Sequence, residues 1–225
     1  MKLVKCGKIV VASLCMMATL AGAAMPALAI SPAGCTSLAQ IEEMNDDEEA
    51  QVQALKAAIA KVNVKYDEVQ RSWQFDSPIY DKAEKNKTCC LSPWIYIFDG
   101  CKDVYFDEDF SYNGSSCIDL NTVYVRAGDN LYTYECDPDY TDYAYDTDKK
   151  VWWAFSTFEM EPSEIDWLRE MLSAKTIITR YSGASGAQYD YTWTADDRQA
   201  VTDMVNLYDL LVAASPEVRA RALRG

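Results

Sequence analysis

The chain contains no histidine at all. That absence removes Ser-His-Asp and Cys-His catalysis and every histidine-ligated metal centre. A CxxC pair is also missing, which weakens a thiolate metal reading. Basic residues are few: 21 Lys and Arg stand against 35 Asp and Glu, a net charge of −14. Such a surface repels nucleic acid phosphates and anionic membranes, so no nucleic acid partner is expected. Beyond the first 29 residues no stretch is apolar enough to span a bilayer. No internal repeat and no domain-length linker interrupts the chain.

What is present starts with an export signal. Lys2, Lys5 and Lys8 precede an apolar run from Ile9 to Ala24, and Ala27-Leu28-Ala29 supplies the small-x-small pattern of a cleavage site. The run is shorter than a membrane span, and Pro26 breaks it. Residues 1–29 are therefore expected to be a signal peptide, and the chain to be secreted or cell-surface. Removal of the three lysines makes the remainder three charges more negative still. Pro32-Ala33-Gly34-Cys35 resembles a lipobox with Pro where Leu or Val is usual, so lipidation at Cys35 is the alternative anchor.

Six cysteines follow the cleavage site: Cys35, Cys89, Cys90, Cys101, Cys117 and Cys136. An even number in an exported chain points to disulfides, although spacing does not choose the pairing. Adjacent Cys89 and Cys90 are expected to have different partners, because a bond between neighbours strains the backbone.

Periodicity divides the remainder. Residues 30–36 are a linker, and residues 37–63 read as a helix with apolar residues three and four apart. Val64 to Phe158 is rich in Tyr, Val, Trp, Phe and Thr between turn residues, the pattern of antiparallel strands. Strands are expected at Lys65–Phe75, Trp94–Phe98, Lys102–Phe106, Ile118–Val125, Leu131–Glu135 and Val151–Phe158, with turns at Asp99-Gly100, Asn113-Gly114 and Gly128-Asp129-Asn130. A helix opens at Glu161-Pro162-Ser163, a strand pair follows at Lys175–Tyr181 and Gln188–Trp193, and Thr194 caps a last helix. Residues 216–225 read as a frayed basic tail. The expected fold is α+β: an antiparallel sheet of about six to eight strands, preceded by an N-terminal helix and packed by C-terminal helices. Residues 64–215 would form one domain.

Three patterns carry chemistry. Asp107, Glu108 and Asp109 cluster, as do Glu159 and Glu161, and two carboxylates alone can hydrolyse a glycoside across a suitable gap. Asp137, Asp139, Asp142, Asp146 and Asp148 offer hard oxygen ligands for Ca²⁺, but the Gly and closing Glu of an EF-hand are missing, and a long polar loop is the simpler reading. Trp94, Trp152, Trp153 and Trp193 lie in or beside strands, where exposed rings flanked by acids stack on sugars or capture peptides and cations. Trp152 and Trp153 must point to opposite faces of a regular strand.

In residues 173–211, a strand ending Arg180-Tyr181-Ser182-Gly183, a return strand with Asp190, and a capped helix ending near Tyr208 resemble an uncharacterised domain of exported proteins and lipoproteins of Gram-positive, often gut-dwelling, bacteria. The resemblance implies export and an α+β fold and lends no activity. From the residues themselves, Arg180 is expected in an ion pair. The expected function is a secreted, non-catalytic binding domain for an extracellular polymer or protein, without a cofactor. The alternatives are a carboxylate-dependent hydrolase and a structural envelope component assembled through its N-terminal helix.

Overall fold

A computed structural model describes residues 38–99 and 102–224, with side chains from residue 47 onward. The expected signal peptide, the lipobox-like segment, Cys35 and Cys101 lie outside the described residues. The described residues from Asp47 onward belong to one compact unit. Among the described residues no helix is long and apolar enough to cross a membrane.

The fold is α+β. Helix α1 (Leu38–Ile59) comes first, and its second half belongs to the compact unit, where Val52 and Leu55 enter the core. Two antiparallel sheets follow. The larger has six strands in the order β1 (Asn63–Asp67), β2 (Ser72–Asp76), β3 (Cys90–Phe98), β4 (Tyr105–Gly114), β8 (Val151–Glu159) and β7 (Thr141–Asp146). The smaller has the order β10 (Gln188–Thr192), β9 (Ile177–Gly183), β5 (Leu120–Ala127) and β6 (Asn130–Glu135). The expected single sheet is thus divided in two. A crossover causes this: β5 and β6 leave the larger sheet to pair with β9, and β7 and β8 return to it.

Alternation along the strands builds one core from both sheets. Phe75, Leu91, Ile95, Phe106 and Phe110 come from the larger, and Val123, Val125, Ile177 and Tyr181 from the smaller. Helices α3 (Pro162–Ser173), α4 (Ala195–Ala213) and α5 (Pro216–Leu223) add Ile165, Leu168, Val201, Met204, Leu211 and Val218. Tyr181 ties the sheets together. Its hydroxyl donates to the carbonyls of Ser111 (2.9 Å) and Cys90 (3.3 Å), two residues that face each other across β3 and β4. Thr194 caps α4 as expected: its hydroxyl accepts from the Asp197 amide at 3.3 Å, and the Thr194 amide donates back to Asp197 at 2.6 Å.

Several local expectations are corrected. Residues 65–75 are a hairpin, β1 to β2, whose turn is made without glycine because Arg71 takes a φ of 55°. Asn113-Gly114 is not a turn. Both residues continue β4 and pair with Trp153 and Trp152. Residues 137–148 are not a loop: a 3₁₀ turn at Pro138–Tyr140 leads into β7, an edge strand where charged residues face water at no cost. The tail is helix α5. Arg219 within it is buried, and its guanidinium donates to the carbonyls of Leu211 (2.6 Å) and Lys102 (2.8 Å). A short helix, α2 (Ile79–Asn86), stands between β2 and β3 where none was expected.

Candidate functional site: an aromatic and acidic sheet face

The strand register decides which side chains share a face. Directly opposed residues of antiparallel strands point the same way, as do residues two apart. Asp107 is opposed by Trp94 on one side and Glu159 on the other. Asp109 is opposed by Ser92 and Thr157, and Tyr105 by Tyr96. Phe155 and Trp153 follow Thr157 along β8, opposite Ser111 and Asn113. One face of the larger sheet, turned away from the core, therefore carries Trp94, Tyr96, Phe98, Tyr105, Phe155 and Trp153 around Asp107, Asp109 and Glu159.

The rings pack on one another. Tyr96 and Tyr105 are stacked, with centroids 4.8 Å apart and planes 8° apart. Trp94 lies 5.3 Å from Tyr96, and Phe98 meets Tyr105 edge-on at 5.9 Å. Trp153 and Phe155 are nearly parallel, 5.9 Å apart at 17°. Each ring is only partly covered, so the face presents aromatic surface to solvent.

The carboxyls between the rings are perturbed. Asp107 is buried, and its Oδ1 has no hydrogen-bond partner. Burial first, then the negative charges of Glu159 and Asp109, push its pKa up to about 7. Burial also raises Asp109, against the opposing pull of a hydrogen bond from Thr157 Oγ1 (2.6 Å) and of the Trp94 indole beside it. Near neutral pH, Asp107 is consequently shared between a carboxylate and a carboxylic acid, which both donates and accepts. Glu108 points the other way. It is fully buried in the core between Phe106 and Phe110, and neither carboxyl oxygen is partnered. Burial pushes its pKa well above the ordinary carboxyl value.

At one end of the face, α2 stands over the sheet and encloses a cavity of about 300 Å³. Trp153 and Phe155 line one side, Tyr80 and Glu84 of α2 the other, and Ser111 is buried among them.

The expected site residues separate accordingly. Trp94 and Trp153 share the open face. Trp152 points to the opposite face, as alternation requires, and packs on Tyr145 with centroids 5.4 Å apart. Trp193 is not a binding ring: it is buried, and its indole N–H donates to Thr179 Oγ1 at 2.8 Å. Tyr96, Phe98, Tyr105 and Phe155 were missed, although the spacing of Trp94, Tyr96 and Phe98 by twos would have marked one face. Of the acidic clusters, Asp107, Asp109 and Glu159 converge, and Glu108 does not.

The five aspartates of residues 137–148 are spread along a turn and an edge strand. Asp137 Oδ1 accepts from the Asp139 amide (2.9 Å), and Asp146 Oδ1 from the amides of Asp148 (2.9 Å) and Lys149 (2.7 Å). Among the described residues no group of three or more acidic or cysteine side chains is placed to hold a metal ion. Among the described residues, no two of Cys89, Cys90, Cys117 and Cys136 lie at disulfide distance. Cys89 and Cys90 are buried in separate apolar clusters. Arg180 makes the expected ion pair, donating to Asp190 from Nε (2.6 Å) and Nη2 (2.7 Å) across β9 and β10.

No family model matches this sequence, and no curated protein matches it. Among solved structures, a protein of unknown function from Burkholderia pseudomallei K96243 is 13% identical, with a TM-score of 0.24 over 77% of this chain and 98% of the other.

Proposed function

We propose that this chain is an exported, non-catalytic binding domain whose open sheet face takes a neutral carbohydrate polymer. The observation that carries the reading is the convergence of six aromatic rings and three acidic side chains on one sheet face turned away from the core. Partly exposed rings offer apolar surface to the C–H groups of sugar rings. A carboxyl that is partly protonated at neutral pH complements hydroxyls, which also donate and accept, better than it complements a cation. The negative surface of the whole chain keeps polyanions away from the same face. The sequence features of export supply the compartment in which such polymers occur.

The test is depletion of the purified protein by insoluble polysaccharides, with intrinsic tryptophan fluorescence followed in parallel on soluble oligosaccharides. Wild type is expected to bind at least one of cellulose, chitin, xylan or peptidoglycan. Trp94→Ala and Trp153→Ala should each weaken binding about tenfold or more, in line with the loss of a buried aromatic anchor. A wild-type protein that binds none of them would refute the reading.

A second reading is favoured by one observation. Asp107 and Glu159 sit directly opposite each other, the first near its titration point at neutral pH and the second exposed. Two such carboxyls are the equipment of a glycosidase. Release of reducing sugar by wild type, abolished in Asp107→Asn, would establish it in place of the first.

A further inference from the structure

We propose that the cavity under α2 receives the terminal unit of the bound polymer, so that the protein engages chain ends rather than chain interiors. The inference rests on the carbohydrate reading above and specifies how that face is used.

The cavity continues the face. Ser111 follows Asp109 along β4, and Phe155 follows Thr157 along β8, each by two residues on the same side of the sheet. Asp107 and Ser111 are four residues apart, roughly 13 Å along the strand. A short oligosaccharide lying over Trp94 and Asp107 therefore reaches the cavity mouth. Its volume of about 300 Å³ stands at the small end of ligand sites, suited to one ring-sized unit. One wall is the near-parallel pair Trp153 and Phe155. Ser111 lines the cavity, and its Oγ, buried beside the Cys90 thiol, lacks a hydrogen-bond partner.

The far side is barred. Lys149, in the turn between β7 and β8, reaches across to α2, where its Nζ lies 2.6 Å from Glu84 Oε1, and it also stands 3.8 Å from Asp146 Oδ2. Lys87, just past the end of α2, donates from Nζ to the Lys149 carbonyl at 2.5 Å. These links tie the turn to the helix across the path that a continuous chain would need. A polymer can enter this end of the face but cannot run through it.

The experiment uses the full-length mature chain and whichever of the four polysaccharides above binds it. The polymer is tested intact and after partial acid hydrolysis, at equal mass, with chain ends counted by reducing-sugar titre. The expected result is a binding capacity that rises in proportion to the number of ends. Ser111→Ala should weaken affinity about tenfold through loss of one hydroxyl contact. Lys149→Ala combined with Lys87→Ala, which removes both links at solvent-accessible positions, should unbar the cavity and remove the dependence on ends while binding persists. Capacity that stays constant on hydrolysis, or a Lys149→Ala/Lys87→Ala protein with the same end dependence as wild type, overturns the inference and leaves the carbohydrate reading intact. Absence of binding to every polysaccharide overturns both.

Discussion

Replacing Asp107 by Asn should stabilise this protein at alkaline pH and flatten its pH profile. In the folded chain Asp107 titrates at about 7, against 3.8 for an ordinary aspartate. A folded-state pKa above the unfolded one means that the native state holds more protons between those two values. Stability is then greatest below about 4 for this group and falls as pH rises, until the folded carboxyl has also ionised near 7. The difference corresponds to about 4 kcal/mol. Asp109 and fully buried Glu108 are raised as well, and they push stability in the same direction. Carboxyls held low, such as Asp190 beside Arg180, oppose this at acid pH, but they are exposed and contribute little. Urea unfolding followed by circular dichroism at pH 5 and pH 8 should therefore give a higher midpoint at pH 5. Asp107→Asn keeps the shape and removes the ionisation. It should gain about 2–4 kcal/mol over wild type at pH 8 and nearly nothing at pH 4. A wild-type midpoint that rises from pH 5 to pH 8, or an Asn variant with an unchanged pH slope, would refute the argument.

Three further outcomes are expected. Gly183→Ala should cost about 1–3 kcal/mol of stability in thermal unfolding, because a Cβ there would lie 2.4 Å from Asp119 Oδ1 and 3.2 Å from the Asp119 amide nitrogen. Tyr181→Phe leaves two buried carbonyls without their donor and should lose about 1–3 kcal/mol in the same assay, with near-native circular dichroism. At pH 8 the native Cys89 thiol, which burial pushes up to about 12, and Cys136, up to about 11, should resist alkylation by iodoacetamide. Peptide mapping should find both modified after denaturation, and rapid native labelling of Cys89 would show that the strand around it opens.

The parts of the fold that were legible in the sequence are those where one physical rule acts alone. Thr194 with Asp197 made a capped helix start, and the alternation rule correctly sent Trp152 and Trp153 to opposite faces. The misreadings arose where two explanations share one residue. Gly114 looked like a turn glycine, but the ring of Tyr112 folds back over it. A Cβ would fall 2.1 Å from the tyrosine hydroxyl, so the strand needs glycine for room and not for a turn. The aspartates of β7 imitated a loop because an edge strand tolerates charge. Arg219 and its neighbours looked like a solvated tail, yet Arg219 reaches carbonyls 8 and 117 residues away in sequence. The site itself was half visible. Asp107 and Trp94 were noticed separately, but the partnership of Asp107 with Glu159 depends on a register that joins β4 to β8 across an excursion into another sheet. No local pattern records that.

The Tyr181 hydroxyl works as a rivet. It holds the backbone beneath Ser111 from the opposite side of the sandwich, so the small sheet carries no ligand-facing ring yet governs where the floor of the cavity lies. Substitutions along β9 that leave every surface residue untouched should thus alter affinity, and an engineer wishing to reshape the cavity has a lever on the far side of the molecule.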